Sequence, residues 1–208
     1  MTRDDLKDVV DLHVLCFPHY FLTGLGDGVL RHYYTYAMDD PQSLVIVLEI
    51  PESGRVVGLA VGTFDPEFQA KLFLSHLFGF LWGVLRGVFM SHTVREGIVQ
   101  RLWDMKWAVR SLFRATINHV TADPQTASPL ITDYACLLVN AVHPEWRGWQ
   151  SSERFLKYFT NCVLEMGATG IWGTVYPENL AALILYKRLS WNIEKQGPKR
   201  VMVWLDLM

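Results

Sequence analysis

The segment His143-Pro144-Glu145-Trp146-Arg147-Gly148-Trp149-Gln150-Ser151-Ser152 has the residue types of an anion seat. Before it, residues 135–142 form an apolar, strand-like run. After it, Phe155, Phe159, Cys162, Val163 and Met166 recur at helical spacing, which predicts a helix. A turn that opens a helix points unpaired backbone N–H groups and the positive end of the helix dipole at one place. Arg147 adds fixed charge there, and Gly148 lets a ligand approach the backbone closely. The chemistry that suits this arrangement is the binding of a pyrophosphate. An ordinary strand-to-helix connection with a surface arginine has the same local pattern.

The rest of the chain must position that turn. Asp4 or Asp5 is placed to cap a first helix with Leu6, Val9, Val10 and Leu12 on its apolar face, ending near Phe17-Pro18. An aromatic loop, 17–26, leads to a second helix from Asp27 to about Met38, which Asp39-Asp40-Pro41 breaks. Residues 43–50 and 55–64 read as a hairpin about a turn at 51–54, with Gly58 and Gly62 marking bulges or close packing. A polar link, 121–128, precedes the strand at 135–142. The helix after the anion turn ends near Met166-Gly167, and 170–175 forms a further strand. Glu178 or Asn179 then opens a helix with Leu180, Leu183, Ile184 and Leu189 on its buried face. Trp191 packs back, and 200–207 makes a final strand.

Residues 71–118 differ in character. From 72 to 90 the chain is nearly continuously apolar and close to the length that spans a bilayer, but His76, Arg86 and three glycines argue against a span. The window holds Lys71, Arg86, Arg95, Arg101, Lys106, Arg110 and Arg114 against Glu96 and Asp104, an excess of +5 in a chain of formal charge −2. Two or three helices are expected here. They form either a lid packed on the core or a surface that docks on a membrane or an anionic substrate.

At 208 residues and 50% hydrophobic, the chain is long enough for one substantial core, and a single domain over 1–208 is expected. The charge gives no global reason to expect nucleic acid. Residues 1–8 are charged, so no signal peptide is expected, and the protein is placed in the cytoplasm. Cys16, Cys136 and Cys162 are scattered in apolar surroundings, as in a reduced protein. The histidines show no metal-ligand spacing, and no metal is expected.

Two separated signatures resemble the GNAT superfamily of N-acetyltransferases. The acetyl-CoA turn of that family typically reads Arg/Gln-x-x-Gly-x-Gly/Ala. Arg147 matches, while Gln150 and Ser152 stand where Gly and Gly/Ala are usual. The family's next signature resembles Asn-x-x-Ala-x-x-Leu-Tyr-x-x-x-Gly-Phe. Asn179, Ala182 and Leu185-Tyr186 match it, and Ser190-Trp191 replaces Gly-Phe. The resemblance implies an α/β (α+β) GNAT-like fold: a central mixed, mostly antiparallel sheet flanked by helices, with a helical insertion at 71–118 after the first hairpin. The loop Phe17-Pro18-x-x-Phe21-Leu22-Thr23-x-Leu25-Gly26 resembles that of a bacterial subgroup linked with polysaccharide and glycan biosynthesis.

What the resemblance implies is transfer of the acetyl group of acetyl-CoA to a primary amine, with an amino sugar, nucleotide- or lipid-linked, as the expected acceptor. Another small amine, a protein N-terminus, or a CoA-binding membrane-surface module without catalysis are the alternatives. Implied for cofactor binding are Val142, Arg147, Gly148, Trp149, Gln150, Ser151, Ser152 and Asn179, with a backbone N–H near Val142 meeting the developing oxyanion. Side-chain donors at Gln150, Ser151 and Ser152 stand in for the missing glycine contacts. Tyr186 is the candidate acid for the thiolate. It lies seven residues from Asn179 and so nearly on its helical face, and a phenol stays protonated at neutral pH. Asp133 and His143 flank the strand and are the candidate bases. A homodimer, and contact of 71–118 with the inner face of the membrane, complete the expectations.

Overall fold

The computed structural model describes residues 1–90, 133–148, 150–197 and 200–207. The helices expected over 91–118 of the insertion lie outside the described residues, as do the polar link at 121–128 and Trp149.

The N-terminal elements follow the sequence pattern. Helix α1 (Leu6–Cys16) buries Val9, Val10 and Leu12 and stops at Phe17, ahead of Pro18. Asp5 holds its N-cap position but makes no capping bond; its carboxylate instead accepts from Thr2 N–H at 2.6 Å. The loop contains one short helix, α2 (Phe21–Gly24), that the aromatic composition did not announce. Gly26 then opens α3 (Asp27–Asp39) at φ +95°. Strands β1 (Ser43–Ile50) and β2 (Arg55–Thr63) form the expected hairpin. The apolar run after it breaks at His76 into α4 (Phe68–Ser75) and α5 (Leu77–Met90). Among the described residues no helix is long and apolar enough to cross a membrane.

The second half alternates strand and helix: β3 (Tyr134–Val142), a 3-10 turn (Pro144–Trp146), α6 (Ser151–Glu165), β4 (Gly170–Val175), α7 (Leu180–Arg188), β5 (Asn192–Gln196) and β6 (Arg200–Asp206). The six strands form one sheet in the order β1-β2-β3-β4-β6-β5. Only β3 and β4 run parallel; every other pairing is antiparallel. Hydrophobic clusters fill both sides. One gathers Val9, Leu30, Tyr34 and Leu59 beneath α1 and α3, and the other Phe155, Phe159, Ile171 and Trp191 around α6 and α7. Gly62 makes the second cluster fit. A Cβ there would stand 2.6 Å from Phe159 Cζ, and a bulge interrupts the β2–β3 pairing at the same place.

Three expectations need correction. Strand β5 was not foreseen because Asn192–Gln196 is exposed throughout, as the polar edge of a sheet should be. Leu180 and Ile184 face solvent, while Tyr186 takes the buried position on α7. That helix is apolar nearly all round, so its period did not define a face. Met166 is likewise exposed, past the end of α6.

Candidate functional site

Strands β3 and β4 pair over only four registers, from Tyr134↔Gly170 to Leu137↔Gly173. Beyond that point β3 continues to Val142 with no partner on the β4 side among the described residues. The pairing with β2 fixes what this free edge presents. His143 N–H donates to Val57 O at 2.8 Å, so the neighbouring Gly58↔Val142 pair is of the type that does not exchange bonds. The N–H and C=O of Val142 therefore point into the gap. A cavity of roughly 660 Å³ opens there, between the end of β3, the start of α6, helix α7 and the 16–20 segment.

Arg147 closes one side of this cavity. Its Nε donates to Val142 O at 2.8 Å, and its Nη2 reaches Cys16 Sγ at 3.4 Å. The Cys16 thiol in turn donates to Val142 O at 3.6 Å. Burial pushes this thiol's pKa up, and the guanidinium pulls it partly back. The arginine thus braces the strand end and still has N–H groups to offer, since a guanidinium carries five. Gly148 adopts φ +147°, a conformation that side chains resist, and nothing lies within 4 Å of where its Cβ would be. The backbone is open to a ligand at this point.

Helix α6 starts immediately beyond. Gln150 is its N-cap residue, but the side chain makes no capping bond, and Ser151 N–H is taken by Gly148 O at 3.2 Å. Ser152 lines the cavity with Arg147 and Gly148; Gln150 and Ser151 do not. The acidic Glu153, in the first turn, is drawn toward Arg188 at 3.6 Å, which offsets its charge at the start of the helix.

On the opposite wall Asn179 caps α7, its Oδ1 accepting from Ala182 N–H at 3.2 Å. Its amide also meets the hydroxyl of Tyr20, whose phenol pKa burial pushes up. The Tyr20 ring lies 4.8 Å from Phe17 and 5.2 Å from Tyr176, and all three line the cavity. Tyr186 stands one layer behind the wall, only 5% exposed and 4.8 Å from the Trp191 ring. Burial drives its pKa up to about 12, and the Asn140 amide against its hydroxyl works the other way. Asn140 itself lines the cavity, and its Oδ1 is buried with no hydrogen-bond partner among the described residues.

The fold therefore gathers Val142, Arg147, Gly148, Ser152 and Asn179 around one cavity, with Tyr186 behind it. Asp133 and His143 are not brought there. Asp133 sits at the other end of β3, nine residues from Val142 and so roughly 30 Å along the strand, with its C=O accepting from Thr169 N–H at 2.7 Å. His143 is turned to the hairpin side, where Arg55 Nη2 donates to its Nε2 at 2.9 Å. Sequence reasoning singled out neither Cys16 nor Asn140, and it covered Tyr20 only as part of the aromatic loop at 17–26. The only local signal was Asn140, a polar residue in an otherwise apolar strand. Among the described residues no group of side chains could hold a metal ion.

No protein-family model matches this chain, and neither does any curated protein sequence. Solved structures do match it. SsHAT superposes over 100% of this chain and 96% of its own, at TM-score 0.62 and 19% identity. The PaiA N-acetyltransferase from Thermoplasma acidophilum, solved in complex with coenzyme A, covers 99% of this chain and 95% of its own at TM-score 0.57 and 8% identity. The ribosomal-protein-S18-alanine N-acetyltransferase from Escherichia coli covers 100% and 90% at TM-score 0.54 and 11% identity. The fold is the GNAT-like fold: six strands in a mixed sheet flanked by helices.

Proposed function

We propose that this protein transfers the acetyl group of acetyl-CoA to a primary amine, and that the amine belongs to an amino sugar, nucleotide- or lipid-linked, used in glycan assembly in the cytoplasm. The observation that carries the reading is the gap between β3 and β4. There the Val142 backbone faces a cavity bounded by the Arg147-Gly148 turn and by Asn179. An elongated ligand with an anionic end and an amide-bearing arm fits that sequence of groups. The aromatic rings of Phe17, Tyr20 and Tyr176, with a few polar groups among them, suit a small ring-shaped acceptor.

Acetyl-CoA supplies an activated acyl carbon and a thiol leaving group. In this reading Arg147, the Gly148 backbone and Ser152 at the start of α6 hold the pyrophosphate. The Val142 N–H meets the acyl oxygen as it gains charge. Asn179 orients the arm. Tyr186, one layer behind the wall, is the source of the proton that the sulfur takes up, passed on by a water in the cavity, and the Asn140 amide supports the phenolate left behind. A phenol at about 12 is a weaker acid than the thiol it serves, so it is always loaded at neutral pH but donates uphill. The proton released by the amine leaves through water.

The test is release of free thiol from acetyl-CoA over a panel of amines, amino sugars first. Amine-dependent release with a matching mass gain of one acetyl group on the acceptor is the expected result. No release with any amine, in a protein that binds CoA, would replace the enzyme reading by a CoA-binding module.

A further inference from the structure

The cavity wall opposite Arg147 gathers several groups that lack a positive partner. The rings of Phe17, Tyr20 and Tyr176 follow one another at 4.8 and 5.2 Å between centroids, and all three line the cavity. Tyr176 is half-exposed there. Two residues on, Glu178 brings an exposed carboxylate to the same wall. That carboxylate forms no ion pair among the described residues, unlike Glu153, which has Arg188 at 3.6 Å. Its charge is nonetheless felt in the wall: after burial, it is among the causes that raise the Tyr20 phenol's pKa. Asn140 borders the same space, and its Oδ1 is buried with no hydrogen-bond partner among the described residues. An aromatic face carries negative charge, a carboxylate only accepts, and an unpaired amide oxygen lacks a donor. One kind of ligand group answers all three, a cation that bears N–H.

We propose that this wall receives the acceptor as its primary ammonium, the charge met by the faces of Tyr20 and Tyr176 and by the Glu178 carboxylate. The inference rests on the acetyl-transfer reading for its use and narrows the acceptor to one that is cationic when it binds. A neutral ring would stack on the aromatic side chains but leave Glu178 without a counter-charge. An anionic acceptor would meet Glu178 as a like charge. Arg147 does not neutralise this wall, because its Nε and Nη2 are engaged with Val142 O and Cys16 Sγ. The amine that attacks must be neutral, so the seated ammonium loses one proton to water before the new bond forms.

The test is saturation-transfer NMR of the full chain at neutral pH with two probes, cyclohexylammonium and cyclohexanol, a neutral ring of the same size. The wild type is expected to bind cyclohexylammonium about tenfold more tightly, the scale of a cation over aromatic faces backed by a carboxylate. Glu178→Gln should lose most of that preference and Tyr176→Leu part of it, each with an unchanged urea unfolding midpoint. Should Glu178→Gln misfold, Tyr176→Leu carries the comparison. Glu52→Gln, in the exposed hairpin turn, removes the same formal charge elsewhere and should leave the preference intact. Equal binding of the two probes by the wild type, no binding of either, or a preference that both cavity variants retain in full would overturn the proposal. Neither probe needs acetyl-CoA. Loss of acetyl-CoA binding beside an intact ammonium preference would therefore remove the acetyl-transfer reading and leave the ammonium site standing.

Discussion

Two tyrosines of this protein are buried among apolar side chains with a polar neighbour, and they belong to different kinds of region. Under α1 and α3, Tyr34 is fully buried and shares a hydrogen bond with His13 Nδ1, while His13 Nε2 is buried with no hydrogen-bond partner among the described residues. Under α7, Tyr186 is almost as deeply buried against Asn140, but Asn140 borders the cavity at the open end of β3. Burial raises both phenol pKa values. Access separates them: one pair is sealed in a core, and the other is one side chain from an open cavity. The sealed pair should govern stability and the open pair turnover.

The largest effect is expected at the sealed pair, as pH dependence. Desolvation lowers the His13 pKa from 6.5 to about 4. The fold therefore favours the neutral ring. Above pH 6.5 neither state binds the proton and stability is full. As pH falls below 6.5 the unfolded chain takes up a proton that the fold refuses, and stability is lost until about pH 4, where the folded ring also protonates. The loss over that window is about 3 kcal/mol, to be read from urea unfolding at successive pH values. A His13→Gln variant should lose that pH slope, with turnover of the folded enzyme unchanged.

Next in size is the open pair. Tyr186→Phe is expected to lower kcat by about a hundredfold while the KM for acetyl-CoA and the unfolding midpoint stay close to wild type. A variant that instead unfolds early at unchanged kcat would place Tyr186 with Tyr34, as a core residue. The smallest effect is expected at the closed end of β3, where the exposed Tyr134 hydroxyl donates to Asp206. Tyr134→Phe should leave the urea unfolding midpoint nearly unchanged and leave kcat alone.

The contrast between these regions was only partly legible in the sequence. Strands β1 and β4 were readable to the residue, because β-branched runs lie between clear turn signals. The turn at 143–150 and the Asn179–Tyr186 helix were readable because each is local: a few residues on one turn or one helix face define it. Cys16 and Val142 are 126 residues apart and meet only because α1 packs on the sheet. Tyr20 reaches Asn179 in the same way, and no local pattern announces such a meeting. The exposure of Leu180 and Ile184 was unreadable for another reason. On a short helix of nearly continuous apolar residues, tertiary packing chooses the buried face, and here it buries Tyr186 while Ile184 borders the open cavity.

The open end of β3 is the proposed seat of acetyl-CoA. The most direct test is a thermal-shift titration of the wild type with acetyl-CoA beside Arg147→Glu. A ligand that binds only the folded state raises the midpoint by mass action. The expected result is a rise that grows with acetyl-CoA in the wild type and is lost in the variant. No rise at millimolar ligand, or the same rise in both proteins, would contradict it.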